Sequence, residues 1–552
     1  MRSENGVLKV DLTVRNERAP DGSMRYCYLL GSGAQSPTLR LKPGELLILN
    51  LRNALSPEEG GTSSPSGTVR PADEISAGRH NHTASKHSTA APDPCTSATM
   101  TVTSTNLHFH GLTLPPVCHQ DEVLKTAVQP GDLPFEYRFR IPANESPGLY
   151  WYHPHIHGFS SQQVSGGASG ALIVEGAERA NPEIAGLPER VLVIRDQDLL
   201  HPEAAPSSSA AAVQALIDRD GDAANTGTGT GRPAKDLSVN FVPVPYPDYP
   251  PASITMKPGE RQLWRVVNAT SVTYLNLATL YKRGPKFRPQ WIGVVAIDGV
   301  PLKANGSPAH ATEWRDSIVV APGGRVEFIM EGPPLGVPAL LVTRTVDTGP
   351  GGENDPNRPL VSISAAPDAP APHSNLPAYA GQLPAPVLPW LGSITPTRVR
   401  HLYFSEDVSN PDDPNSPTRF YLTVDGQTPA LFNPANDIPN IVARQGEVED
   451  WVIENRSTEL HTFHIHQIHF EVVEWLEVSV NEPYLRDTVN VPFYSPTAMQ
   501  HYPTVRLRMD FRDPHAVGTF VYHCHLLDHE DGGMMGLIRV EPAEPQPTAT
   551  SP

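Results

Sequence analysis

The segment KPGELLILNLRN (42–53) decides the fold, because its pattern recurs as KPGERQLWRVVN (257–268) and RQGEVEDWVIEN (444–455). In each copy a Gly-Glu pair is followed by an apolar-rich run, and an Asn lies nine positions after the Gly. A turn followed by such a run indicates the start of a β-strand. Three copies of the pattern predict three copies of one domain, each of plausible domain size.

The rest of the chain also indicates an all-β protein. Further strand-like runs include FEYRFRI (135–141), GALIVEG (170–176) and GTFVYHC (518–524), and 60 prolines in 552 residues disfavour long helices. Short strands between Pro- and Gly-rich turns are typical of β-sandwiches and barrels. We predict a first domain at 1–180 with a low-complexity loop at 56–98, a second at 181–370, a third at 375–545, and a Pro/Ala-rich linker at 366–389.

Charge and hydropathy exclude several classes of function. With 42 Lys and Arg against 60 Asp and Glu, the net charge of -18 argues against a nucleic-acid binder. No run approaches the roughly 18 apolar residues that cross a bilayer, so we expect no membrane insertion. The sequence begins MRSENGVLKVDLTV, without an apolar signal region. We favour an extracytoplasmic protein, periplasmic or secreted, whose signal lies outside this sequence, over a cytoplasmic one.

The histidines are concentrated at two places. Of 22, nine lie between 80 and 157 and nine between 461 and 529, mostly in LHFHG (107–111), WYHPHIHG (151–158), HTFHIHQIHF (461–470) and HCHLLDHEDGGMM (523–535). Successive side chains on a strand point to opposite faces, so each His-X-His pair shares a face. Parity therefore predicts one group of eight that meets between the first and third domains: His108, His110, His153, His155, His464, His466, His523 and His525. Imidazole is the commonest metal ligand, so this group predicts a metal site.

The same parity isolates a second site inside the third domain. Cys524 and His461 point away from the group of eight, and His529 and Met534 follow in the next loop. One Cys, two His and a weak axial Met form the ligand set of a blue-copper centre. One His-X-His pair on a strand is commonly structural, but four such segments with this Cys and Met indicate copper.

These motifs resemble those of three-domain multicopper oxidases, the group of laccases, bilirubin oxidases and spore-coat laccases. The resemblance covers the whole chain and implies three tandem cupredoxin-like Greek-key β-barrels binding four copper ions, with the middle domain as a structural spacer. It implies a type 1 copper on His461, Cys524, His529 and Met534, a type 2 copper on His108 and His464, and a type 3 pair on His110, His153, His155, His466, His523 and His525.

The resemblance also implies a reaction. A reductant is oxidised one electron at a time at the type 1 copper, and electrons pass through Cys524 to the three-copper cluster, where dioxygen becomes two waters. Glu530, directly after His529, resembles the acid that supplies protons in spore-coat laccases. Asp121 resembles a second channel acid, although it lies farther from His110 than we expect. We expect a small-molecule reductant and dioxygen as partners, no nucleic acid, and a monomer.

Several alternatives stay open at this stage. Phenol-type donors lead, and a metallo-oxidase acting on Cu(I), Fe(II) or Mn(II) is the alternative. A copper-free structural or binding protein derived from the fold is disfavoured by the complete ligand pattern. A two-domain nitrite reductase is disfavoured because it lacks the paired type 3 histidines. Cys95 and Cys118 form either a disulfide, if the compartment is oxidising, or two buried thiols.

Overall fold

The structure is a computed structural model, and its description covers residues 1–544 except 21, 58–92, 98, 206–230, 305, 379–387, 411–415 and 417. Most of the low-complexity loop predicted at 56–98 and the centre of the predicted linker therefore lie outside the described residues. The described chain is built almost entirely of strands, which confirms the all-β prediction. Within this described part, no helix has the length and apolar character needed to cross a bilayer.

The strands fall into three consecutive sections. The first section contains β1 Val7–Arg18, β2 Met24–Leu29, β3 Leu39–Leu41, β4 Leu46–Asn53, β5 His108–His110, β6 Phe135–Arg140, β7 Gly148–His153 and β8 Gly170–Val174. The middle section contains β9 Pro188–Gln197, β10 Asp236–Val239, β11 Val242–Val244, β12 Ala252–Met256, β13 Arg261–Asn268, β14 Leu275–Arg283, β15 Lys286–Gln290, β16 Ile292–Ile297, β17 Val300–Pro301, β18 Glu313–Arg315, β19 Ile318–Val320, β20 Arg325–Glu331, β21 Ala339–Thr343, β22 Arg358–Ala365 and β23 Ser374–Asn375.

The third section contains β24 Arg398–Val408, β25 Thr418–Val424, β26 Ile441–Arg444, β27 Val448–Asn455, β28 His461–Ile465, β29 Phe470–Trp475, β30 Val478–Ser479, β31 Thr488–Val491, β32 Thr504–Asp510, β33 Gly518–Cys524 and β34 Met535–Glu541. Helices among the described residues are short: the α-helices are Ser160–Ser165, Ala177–Ala180 and Leu527–Asp531, and the 3₁₀ turns are Pro94–Thr96, Pro182–Ile184, Leu391–Ser393 and Pro514–Ala516.

Each section consists of two sheets. The first has the orders β2-β1-β4-β6 and β3-β8-β7-β5. The middle has a nine-stranded sheet around β9-β13-β20-β16 and a six-stranded sheet around β12-β22-β21-β14. The third has β25-β24-β27-β32-β29-β30 and β26-β34-β33-β28-β31. The largest apolar core clusters of the described residues belong mainly to one section each, as expected for three sandwich-like units.

The repeated segments occupy equivalent places in the three sections. Strands β4, β13 and β27 each pair in parallel with the first strand of their section and antiparallel with a later one. Gly44, which precedes β4, has φ +83°, a left-handed conformation that glycine adopts without strain. The turn thus explains the Gly of the repeat.

The Asn that ends each repeated strand is buried and ties down the loop after it. The Asn53 side-chain amide donates to the carbonyls of Thr103 and Val128, and its oxygen accepts the Leu55 N–H. Asn268 and Asn455 each donate to one loop carbonyl and to the carbonyl at the end of a strand. Burying these backbone carbonyls requires such a partner, which explains why the repeat keeps its Asn.

The cysteine question left open by the sequence has an answer in the structure. Cys95 and Cys118 form a disulfide with Cα atoms 5.6 Å apart, and Cys27 and Cys524 are free and buried. The disulfide joins the turn at Pro94–Thr96 to the loop that leads to Asp121.

Candidate metal centres

Two strand pairs carry the histidine segments. In the first section β5 runs antiparallel to β7, which sets His108 opposite His153. In the third section β28 runs antiparallel to β33, which sets His464 opposite His523. The two strand pairs face each other across the boundary between these sections. Their packing therefore directs towards this boundary the same histidines that strand parity predicts to meet.

The eight histidines predicted to meet do come together. The His108 ring stacks on His466 with centroids 3.8 Å apart, and the His110 ring stacks on His464 at 4.0 Å. All eight are at most 2% exposed: His108, His110, His153, His155, His464, His466, His523 and His525. Three overlapping trios have ligand atoms within 4.8 Å of one another, namely His108/His464/His466, His108/His110/His153 and His155/His466/His523.

The outer nitrogens of several rings are held by backbone oxygens. Nδ1 lies 3.0 Å from the Pro154 carbonyl in His153, 2.8 Å from the Asp487 carbonyl in His464, and 2.9 Å from the Cys524 carbonyl in His523. A carbonyl only accepts, so each Nδ1 carries the proton and donates it. The Nε2 lone pair of each ring is thereby free for a cation.

The inner nitrogens have the character of metal ligands. Nε2 of His523 lies 3.2 Å from Nε2 of His466 and 3.5 Å from Nε2 of His155. Burial lowers the pKa of His523 to about 3, so its ring is neutral. Among the described residues, no hydrogen-bond partner reaches Nε2 of His108, His153 and His464, Nδ1 of His110 and His466, or either nitrogen of His525. Unpaired buried nitrogens are costly, and metal ions would satisfy them.

A second cluster lies inside the third section. Sγ of Cys524 is 3.5 Å from Nδ1 of His461 and 3.8 Å from Nδ1 of His529, and the two Nδ1 atoms are 3.3 Å apart. Met534 is fully buried and its carbonyl accepts the Cys524 N–H at 3.0 Å. Burial raises the pKa of the Cys524 thiol well above its usual range, and a soft cation would take the place of the thiol proton. This donor set fits copper.

Glu530 lies against the group of eight histidines. Its carboxylate oxygens are 3.2 Å from Nδ1 of His523 and 3.5 Å from Nε2 of His155, and the side chain is fully buried. Burial, followed by the neighbouring Asp531, raises the pKa of Glu530 well above its ordinary value. A buried carboxyl with a raised pKa carries a proton beside the imidazoles.

Asp121 lies against His108 in spite of the long spacing in sequence. Both carboxylate oxygens are 3.0 Å from Nδ1 of His108, and one of them accepts the Phe109 N–H at 2.9 Å. The Gln467 amide donates to the other oxygen at 2.6 Å. Asp121 is therefore surrounded by donors, which suits it to orient His108.

One buried carboxylate of this region was missed by sequence reasoning. Asp487 lies 3.3 Å from Nε2 of His110, and it accepts hydrogen bonds from both terminal nitrogens of Arg325 at 2.7 and 2.5 Å. Against burial, which raises it, the Arg325 guanidinium lowers the pKa of Asp487 to about 2. Arg325 opens an apolar strand of the middle section, which was expected to be a spacer. A charged residue at the start of that strand was the available signal.

Carboxylates surround the outer edge of the Cys524 cluster. Glu459 lies 3.2 Å from Nε2 of His529, and Glu406 lies 3.2 Å from Nε2 of His461. Beside His529 is a cavity of about 40 Å³ whose lining includes Glu459, Glu353 and Asp528. We call this cavity, with its three acidic residues beside His529, the acidic opening.

Paired β-sheets that enclose a Cys, His and Met ligand set beside a cluster of imidazoles have the chemistry of a copper protein. Two family models, both described as multicopper oxidase, match residues 99–179 and 411–544. The multicopper oxidase mco of Staphylococcus haemolyticus is 22% identical over 445 residues, which cover 79% of this chain and 77% of that protein.

Solved structures show the same fold. A variant of the multicopper oxidase McoA from Aquifex aeolicus is 18% identical, with a TM-score of 0.63 and 98% of each chain covered. A multicopper oxidase from Campylobacter jejuni, described as a metallo-oxidase, is 21% identical, with a TM-score of 0.60, 98% of this chain and 92% of that chain covered. The two family models, the relatives and the solved structures together indicate a multicopper oxidase, an oxidoreductase that uses copper and oxygen.

Proposed function

We propose that the chain couples one-electron oxidation of a reductant near His529 to four-electron reduction of dioxygen at the histidine cluster. The observation that carries this proposal is the set of buried imidazole nitrogens without hydrogen-bond partners among the described residues. Four donors each lose one electron, and one dioxygen with four protons becomes two waters. Copper bound at both sites would supply the one-electron redox chemistry.

The ligands follow the two clusters. In this proposal four copper ions bind: one type 1, one type 2 and two of type 3. The type 1 ligands are His461, Cys524, His529 and Met534; the type 2 ligands are His108 and His464; the type 3 ligands are His110, His153, His155, His466, His523 and His525. Cys524 belongs to one cluster and its two chain neighbours to the other, so a single tripeptide joins the electron entry site to the dioxygen site.

Two carboxyl groups have separate roles in this proposal. Glu530 is the proton donor, since it is fully buried and lies within 3.5 Å of His155 and His523. Asp121 keeps the proton of His108 on Nδ1 and so keeps Nε2 free for the metal. We assign it this orienting role in place of a second proton supply.

The acidic opening favours a metal ion as the reductant. A cavity of about 40 Å³ is small for an aromatic ring, since the known benzene-binding cavity is about 150 Å³. Carboxylate oxygens are suited to hold a divalent cation beside Nε2 of His529. We therefore propose metallo-oxidase activity on Fe(II), Cu(I) or Mn(II), with Fe(II) as the first donor to test. Phenol-type donors are the second candidate, favoured by the Phe420 ring that stacks on His529 at 4.1 Å.

The proposal includes compartment and assembly. The Cys95–Cys118 disulfide favours an oxidising compartment and supports an extracytoplasmic location. All residues of both clusters come from one chain, which supports a monomer with a small reductant and dioxygen as its partners.

Steady-state oxygen uptake on one copper-loaded sample tests the function. We expect four copper ions per chain, four Fe(II) oxidised per dioxygen, and no hydrogen peroxide. Asp528→Asn and Glu353→Gln should raise KM for Fe(II) about tenfold and leave KM for a phenol unchanged. The exposed Asp437→Asn is the control, because it removes a carboxylate far along the chain from this opening. A phenol oxidised far faster than any metal ion would reverse the choice of donor, and a protein without copper would refute the function.

A further inference from the structure

Gln467 has an unusual backbone conformation for its residue type. It follows His466 directly, has φ +59°, and is only 3% exposed. Residues other than Gly, Asn and Asp seldom occupy this left-handed region, and those that do are often found at functional sites. The surrounding fold must hold Gln467 in place.

The side chain of Gln467 makes one strong contact. Its Nε2 lies 2.6 Å from Oδ2 of Asp121, while Oδ1 of Asp121 accepts the Phe109 N–H. An amide oxygen in place of Nε2 would face a carboxylate oxygen, so chemistry requires that the N–H faces Asp121. Asp121 is in turn within 3.0 Å of Nδ1 of His108. Gln467, Asp121 and His108 form one chain of hydrogen bonds.

Gln467 also forms part of a cavity wall. A cavity of about 820 Å³ lies between the sections and is lined by Gln467, His469, Trp390 and Glu145 among others, whereas Asp121 is not part of the lining. Gln467 therefore stands between this space and the Asp121 carboxylate. Its Oε1 has no hydrogen-bond partner among the described residues.

We propose that Gln467 is a positioning residue for the metal bound by His108, an inference that rests on the proposed function. The amide N–H holds Asp121 as an acceptor, and Asp121 holds the His108 proton on Nδ1. The ring then presents Nε2 to the metal. The body of the side chain also separates the cavity from the carboxylate, so water from the cavity does not compete for Asp121.

Two variants test the contact without straining the backbone. Gln467→Gly removes the amide and places the residue best suited to φ +59° there. Gln467→Asn keeps an amide and also tolerates this conformation, but it is one methylene too short to reach Asp121. Leu476→Asn is the matched control, because Leu476 has φ +50° and is 40% exposed, away from the cluster.

The readout is the rate at which copper leaves each site in the presence of a chelator. We expect both Gln467 variants to lose the non-blue copper about 10- to 100-fold faster than the parent. The paramagnetic resonance signal of this copper measures the rate. The blue absorption of the Cys524 site and the melting temperature of the metal-free protein should stay at the parental values, as in the control.

Release of the non-blue copper at the parental rate from either variant would overturn the proposal, as would equal acceleration at both sites. A purely structural Gln467 would instead lower the melting temperature of both metal-free variants and leave the rate of copper release from both sites at the parental value. A parent that binds no copper is a different outcome, since it refutes the proposed function and leaves no metal to position.

Discussion

Replacing Arg325 by Met should destabilise the protein strongly, because it leaves Asp487 buried without its cation. Arg325 and Asp487 are both fully buried, and the guanidinium donates two hydrogen bonds to the carboxylate and further ones to backbone carbonyls. Breaking a buried ion pair by removing one partner costs about 3–5 kcal/mol. At about 2–4 °C per kcal/mol for a section of this size, the melting temperature falls by about 6–20 °C.

Differential scanning calorimetry on the metal-free protein measures this effect. Arg315→Met is the matched control, since Arg315 belongs to the same section and forms a part-exposed pair with Glu313. A pair of that kind contributes about 0–1 kcal/mol, so the control should lose at most about 4 °C. The double variant Arg325→Met with Asp487→Leu should recover part of the loss, because the charge of Asp487 is gone and only Asp298, 3.8 Å from the guanidinium of Arg325, still lacks that cation.

Two results would refute this reasoning about the middle section. One is a melting temperature of Arg325→Met that matches the control. The other is a double variant less stable than Arg325→Met, which would mean that the carboxylate is needed for its own contacts with His110 and Thr488 and not for the ion pair.

Three further variants test the clusters, and a fourth tests a buried carboxyl group elsewhere in the third section. Cys524→Ser should abolish the blue copper–thiolate absorption, and an intense visible band that persists would disprove the type 1 assignment. His525→Ala should leave the blue centre reducible by donor but stop oxygen uptake; normal uptake would disprove the trinuclear assignment. Glu530→Gln should keep its copper while turnover falls about 100-fold, against an unchanged Glu541→Gln control; turnover within twofold of the parent would remove Glu530 from proton supply. Burial raises the pKa of Glu471 to about 7, so the free energy of unfolding of the parent falls as the pH rises from 4.5 to 7. Compared with the parent, Glu471→Gln should therefore be more stable by up to about 3 kcal/mol at pH 8 and equally stable at pH 4, as measured by denaturation. An equal gain in stability at both pH values would contradict this.

The sequence predicted the fold and the grouping of ligands because both depend on local rules. Strand parity alone separates Cys524 from His523 and His525, and the structure brings these side chains into two different clusters. The Gly and Asn of the repeat mark a turn and a buried loop clamp that recur three times. The division into domains at 180 and 375 and the copper ligands themselves stay predictions.

Other residues could not be found in this way, because their contacts join distant parts of the chain. Arg325 is 162 residues from Asp487, and Gln467 is 346 residues from Asp121. Parity describes which side of a strand a residue faces, but it does not say which section will pack against that side. The Asp121 spacing looked too long for a different reason: a loop, tied at Cys118 to Cys95 by the disulfide, brings Asp121 back to His108, 13 residues earlier in the chain.

The hydrogen bonds of the histidines argue against a copper-free structural protein. A buried imidazole that serves only packing would pair both nitrogens or give way to an apolar residue, since each unpaired buried polar atom costs about 1–3 kcal/mol. Here Nδ1 of His153 and of His464 is fixed by a carbonyl, while Nε2 of the same two rings has no hydrogen-bond partner among the described residues. In these two rings the pattern is one-sided, and it leaves lone pairs where cations would bind. A fold that had abandoned its metals would gain several kcal/mol by replacing these rings, so their retention as a matched set favours continued metal binding.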